Sequence, residues 1–147
     1  MKIAIGADHA GFAAKEEMKA VIKALGHQVL DAGTASDASV DYPDFAEKVA
    51  RAVVNGEADR GVLICGTGIG MSIAANKVHG IRAAVIADEK TAELSRKHND
   101  ANIFCAGARM TPLPRIAESL KVWLQTPFEG GRHQNRVNKI SAIESTP

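Results

Sequence analysis

Gly61-Val62-Leu63-Ile64-Cys65 runs directly into Gly66-Thr67-Gly68-Ile69-Gly70, and this stretch decides the fold. Its first half is an apolar run without alternation, the pattern of a strand covered on both faces. Its second half is a glycine-rich turn that leads into a helical pattern over Met71–Val78. Outward from there, short apolar runs and helical segments take turns. The pattern predicts further strands at Lys2–Gly6, Gln28–Asp31, Ile81–Ala87 and Asn102–Ala106. Helices are predicted at Ala10–Leu25, Pro43–Asn55, Glu89–His98 and Pro112–Gln125, with Gly26 ending the first and Pro43 opening the second. Such alternation defines a doubly wound α/β domain with a parallel sheet of about five strands. The whole of 1–147 reads as one domain. A closing helix over 134–145 carries a narrow stripe of Val137, Ile140 and Ile143, which packs on the domain or on a second subunit.

Composition narrows the function. The chain has 147 residues, enough to bury a core without disulfides or metals. Its 18 basic and 17 acidic residues leave a net charge of +1, which argues against nucleic-acid binding. The two cysteines, Cys65 and Cys105, lie in apolar runs and read as reduced thiols. The start, MKIAIGAD, lacks a leader's cleavage pattern, and no apolar run reaches membrane-spanning length. The expected compartment is the cytoplasm.

In parallel α/β sheets, ligands bind at the carboxyl ends of strands near a switch in strand order. That rule selects Asp8 and His9, Cys65 to Gly70, Asp88, and Ala108 to Met110. Three glycines in five residues allow close backbone approach and aim several N–H groups at one point, as an anion or developing oxyanion requires. The alternative is a tight turn whose glycines serve packing alone. Familiar glycine motifs fail: a dinucleotide fingerprint would need glycine at Met71, and no Gly-Lys-Ser/Thr ending is present. A phosphatase loop would need arginine at that same position. Cys65, just before the N–H-rich turn, sits where a thiolate is favoured and could abstract a proton beside a carbonyl. An ordinary buried cysteine is the competing reading.

Other polar residues give weaker signals. Asp8 could accept sugar hydroxyls or cap the first helix. His98, in the run His98-Asn99-Asp100-Ala101-Asn102, suits acid–base work, or is a dipole-favoured helix-end histidine. Asn99 doubles as a candidate left-handed terminator. Arg132 and Arg136, four apart, share a helix face and together fit a phosphate; solvated surface arginines are the alternative.

Taken together, GADHAGF (6–12), DYPDFA (41–46), CGTGIGMSIAANK (65–77), IRAA (81–84), HNDAN (98–102), GAR (107–109) and RHQNRV (132–137) resemble the ribose-5-phosphate isomerase B family. The segments follow family order across nearly the whole chain. The resemblance implies a three-layer α/β/α Rossmann-like fold, a homodimer or tetramer, and interconversion of D-ribose 5-phosphate and D-ribulose 5-phosphate. It assigns Cys65 as proton acceptor, His98 as the donor that opens the furanose ring, and Thr67 as a helper in proton handling. It gives Asp8 and Asn99 to sugar hydroxyls and Tyr42 to the wall of the site. Backbone N–H groups of Gly66, Thr67, Gly68, Ile69 and Gly70 would hold the enediolate oxygen. His9, Arg132 and Arg136 would bind phosphate, with Arg109 from the same or the neighbouring subunit. Cys65, with Ala74 and Ala75 downstream, follows the cysteine-base branch rather than the glutamate one.

Aldose–ketose exchange needs one base, an oxyanion cradle and an acid–base pair for the ring oxygen. It requires no cofactor, and no metal-binding cluster stands out at ligand spacing. The alternatives are an isomerase of a hexose 6-phosphate, of the allose or galactose type, and a non-catalytic sugar-phosphate-binding module. The last has no need of Cys65 and His98 together.

Overall fold

A computed structural model describes residues 1–147. Five parallel strands, β1 (Lys2–Ala7), β2 (Gln28–Asp31), β3 (Arg60–Cys65), β4 (Ala83–Val85) and β5 (Ile103–Gly107), lie in the order β2-β1-β3-β5-β4. Six helices accompany them: α1 (Phe12–Ala24), α2 (Tyr42–Val54), α3 (Ile69–Ala75), α4 (Glu89–Asn99), α5 (Leu113–Gln125) and α6 (Arg132–Ile143). The α/β fold with a parallel five-stranded sheet is the one predicted.

The unbroken apolar runs follow from burial on both faces. Along β1, Ile3 and Ile5 enter one core while Ala4 enters the other; Val62 and Ile64 divide likewise from Leu63 and Cys65. One core, with Met18, Ile22, Phe104, Leu120 and Trp123, packs under α1, α4 and α5. The other, with Val49, Met71, Ile103 and Cys105, packs under α2 and α3. Each side chain flips faces at the next residue, so both layers demand apolar residues from every strand. No helix is long and apolar enough to cross a membrane.

Boundaries differ in instructive places. β4 is three residues instead of Ile81–Ala87, because it is an edge strand whose ladder with β5 runs only from Ala83 to Val85. The helix after the glycine loop begins at Ile69 and stops at Ala75, earlier at both ends than predicted. The last helix spans Arg132–Ile143 instead of 134–145, so both arginines of the pair are helical. Asp100, at φ 46°, is the left-handed terminator of α4; Asn99 is still helical.

Strand order reverses between β1 and β3, the central pair, and opens a crevice beyond their carboxyl ends. Helices that follow strands run back, so their last residues lie at the opposite, amino edge. There Arg60 and Arg96 both lie against the Trp123 ring, at 5.3 and 5.8 Å. Arg96 also donates to the carbonyls of Ala101 and Thr126, pinning the end of α4 to the start of β5.

Candidate active site

The switch-point crevice is a cleft of about 430 Å³ lined by Asp8, Tyr42, Cys65, Gly66, Thr67, Ile69, Gly70 and Ile73. Cys65 ends β3, and its Sγ accepts the Gly68 N–H at 3.1 Å. The Thr67 hydroxyl accepts the Ile69 N–H at 3.2 Å. The N–H groups of Gly66, Thr67, Gly70 and Met71 have no acceptor within the chain. A cluster of such donors beside a thiol is a place for negative charge.

The glycines have packing reasons as well. Gly68 is left-handed at φ +80°, and a Cβ there would stand 2.9 Å from the Ala106 carbonyl carbon. A Cβ on Gly70 would reach within 2.5 Å of the Tyr42 ring, which rests on the loop. The packing reasons leave the unpaired N–H groups in place, so the two readings of the loop are compatible.

Asp8 is 7% exposed, and its Oδ1 accepts the N–H groups of Ala10 and Gly11 at 3.0 and 3.1 Å. One carboxylate oxygen braces the turn before α1, and Asp8 lines the cleft. His9 Nδ1 accepts the Val40 N–H at 3.2 Å, which places the ring proton on Nε2 as a donor. Arg109 lies over Gly66, its Cδ and Nη1 each 3.4 Å from where a Cβ would be. It stands beside the cleft's Gly66 without lining the cleft itself.

Two expectations need correcting. Asp88, selected by the strand-end rule, caps α4: its carboxylate accepts the Thr91 N–H at 2.7 Å and the Thr91 hydroxyl at 2.6 Å. His98, Asn99, Arg132 and Arg136 do not reach the cleft of their own chain. His98 and Asn99 end α4 at the amino edge, whereas Cys65 pairs with Gly107 at the far end of β5. Strand β5 alone puts roughly 13 Å between the two edges. His98 instead stacks on His133, with ring centroids 4.3 Å apart and planes 15° apart. Burial, then the charges of His98, Arg132 and Arg136, push His133 below the usual histidine range. His133 was not singled out in the sequence; the signal available was Glu129 and His133 four apart beside the arginine pair.

Of the two thiols, only Cys65 borders the cleft. Complete burial, reinforced by nearby Cys65, pushes the Cys105 thiol far up, so it stays protonated.

Fold and cleft together define an α/β enzyme whose switch-point cleft sets one thiol beside a cradle of free N–H groups. Residues 3–140 match the model of the Ribose/Galactose Isomerase family, and the chain belongs to that family. It is 50% identical over 143 residues to ribose-5-phosphate isomerase B of Escherichia coli, covering 97% of this chain and 96% of that one. The structure of the Clostridium thermocellum ribose-5-phosphate isomerase B superposes with a TM-score of 0.97 at 53% identity, covering 99% and 98% of the two chains. That of the Mycoplasma genitalium enzyme, solved with bound ribulose 5-phosphate, gives 0.94 at 42% identity over 99% and 97%.

Proposed function

We propose that the chain is an aldose–ketose isomerase that interconverts D-ribose 5-phosphate and D-ribulose 5-phosphate through an enediolate. The observation that carries this reading is the Cys65 thiol at the mouth of a loop whose N–H groups lack acceptors. Cys65 takes the proton from carbon 2 of the open aldose, and the electron pair moves onto the carbonyl oxygen at carbon 1. The free N–H groups of the loop stabilise the resulting enediolate oxygen. Thr67 passes protons between the two sugar oxygens, and the proton returns to carbon 1 to give the ketose. Asp8 and Tyr42 hold hydroxyls, while His9 and Arg109 face the phosphate. Relatives so named, one with ribulose 5-phosphate bound, support the pentose phosphate as substrate.

Ring opening needs His98, with Asn99, Arg132 and Arg136 beside it, and these stand at the other edge of the sheet. We infer that a second copy supplies them, one chain giving the thiol half and its partner the histidine half. Exposed apolar residues border both halves: Ile69 and Ile73 at the thiol cleft, Ile140 and Ile143 at a cavity shared with Asn99. A two-fold dimer that buries these residues unites each cleft with the partner's histidine. In this reading 1–147 is one isomerase domain, and α6 lies at the dimer interface. Free thiols suit a reducing compartment, and we place the enzyme in the cytoplasm.

The test compares wild type with Cys65→Ala on D-ribose 5-phosphate in the presence of a chelator. Turnover by wild type, falling by about 10³-fold in the variant with substrate binding kept, is the expected result. Wild type that binds the pentose phosphate without converting it rejects the reading.

A further inference from the structure

His133, the second residue of α6, is 3% exposed, and its Nε2 has no hydrogen-bond partner. Glu129 Oε1 stands 3.6 Å from it, beyond hydrogen-bond range. The ligand atoms of His98, Glu129 and His133 all lie within 4.8 Å of one another. A backbone hydrogen bond from Glu129 N–H to the Lys97 carbonyl holds the carboxylate's loop against the end of α4. Two imidazoles and a carboxylate form a donor set that zinc uses with a fourth position left open.

We propose that His98, Glu129 and His133 bind a divalent transition metal such as Zn²⁺, and that occupancy withdraws His98 from ring opening. Bonds near 2.0–2.1 Å to a tetrahedral ion place ligand atoms roughly 3.4 Å apart. The Glu129–His133 separation already fits. The rest closes when the half-buried His98 ring tilts out of its stack and the exposed Glu129 carboxylate follows. His133 is fixed by burial and supplies the anchoring nitrogen, whose missing partner the ion becomes. Arg132 and Arg136 flank the site and oppose a cation. Only ions with a strong preference for nitrogen overcome that repulsion, so Mg²⁺ and Ca²⁺ are excluded.

The inhibitory consequence rests on His98 acting in ring opening; the metal site itself does not. Chelator-stripped Cys65→Ala protein, which removes the competing thiol, is titrated with Co²⁺ alone and then with Zn²⁺. One tetrahedral Co²⁺ spectrum per chain, displaced by Zn²⁺, is expected. Adding Glu129→Gln or His133→Gln should weaken binding by more than about tenfold. In the Cys65 background, Zn²⁺ inhibits wild-type turnover, whereas Glu129→Gln turns over normally in chelator and resists Zn²⁺. Glu129 is exposed, so this variant folds even if His133→Gln does not. No Co²⁺ spectrum overturns the site; Zn²⁺ inhibition undiminished in Glu129→Gln overturns its inhibitory role. Metal binding without any sugar turnover would remove the isomerase reading and leave the site standing.

Discussion

Cys65 and His98 stand at opposite edges of one sheet: the thiol ends β3, and the imidazole ends the helix that leads back to the start of β5. No side-chain rotation brings them together within a chain. If two copies complete each other's sites, two dead variants must revive one another. Cys65→Ala and His98→Gln, inactive alone, are refolded together in equal amounts. Half the dimers are then mixed, each with one intact site, so about a quarter of wild-type activity returns. Absence of recovery in verified mixed dimers would show that the two residues do not share a site.

Alkylation separates the thiols. Iodoacetamide should modify Cys65, at the cleft, and spare Cys105, which is fully buried and held protonated. Peptide mass spectrometry reads the site. Loss of activity should track one modified thiol per chain, and ribose 5-phosphate should slow it.

Gly70→Ala drives a Cβ into the Tyr42 ring, 2.5 Å away. Thermal or urea unfolding should show a loss of about 1–3 kcal/mol. Because the obstacle is one side chain, adding Tyr42→Ala should recover most of it, a coupling that a double-mutant cycle reads. Additive losses would mean that the ring is not the obstacle.

Acid should weaken the fold through Asp31. Partial burial pushes its carboxyl up, but hydrogen bonds from Lys15, Lys19 and the Gly33 N–H outweigh this and hold it at about 2, against 3.8 normally. The folded value lies below the unfolded one, so its contribution is complete above pH 3.8 and is lost as pH falls towards 2. Allowing for screening at a partly exposed group, that contribution is about 1–2 kcal/mol. Asp31→Asn should lower stability by this much at pH 7, and the two proteins should converge near pH 2. An equal gap at both pH values would assign the loss to something other than ionisation.

The sheet was legible because burial on two faces leaves no polar position in Gly61–Cys65 or Ile103–Gly107. The thiol and its loop were legible because they follow a strand directly, and strand ends are where such sheets place ligands. Residue type marks His98 as an acid–base candidate, but local pattern does not report which edge of the sheet it occupies. The chain direction does: a residue just ahead of a strand sits at the edge opposite the cleft. Capping and ligand binding ask for the same carboxylate at the same place, so Asp88 meets the strand-end rule while serving as the cap of α4. His133 escaped notice because its significance comes from one ring lying on another 35 positions away in sequence, and no local pattern records that.

The separation of thiol and imidazole on one chain also bears on inheritance. If two copies complete each other's sites, the gene encodes half of each of two centres and becomes divisible once it is duplicated. One daughter copy can lose its histidine and the other its cysteine, and the pair still assembles one working centre per couple. Neither copy could then be lost, so obligate partnership would arise by decay alone, without any new contact having to evolve.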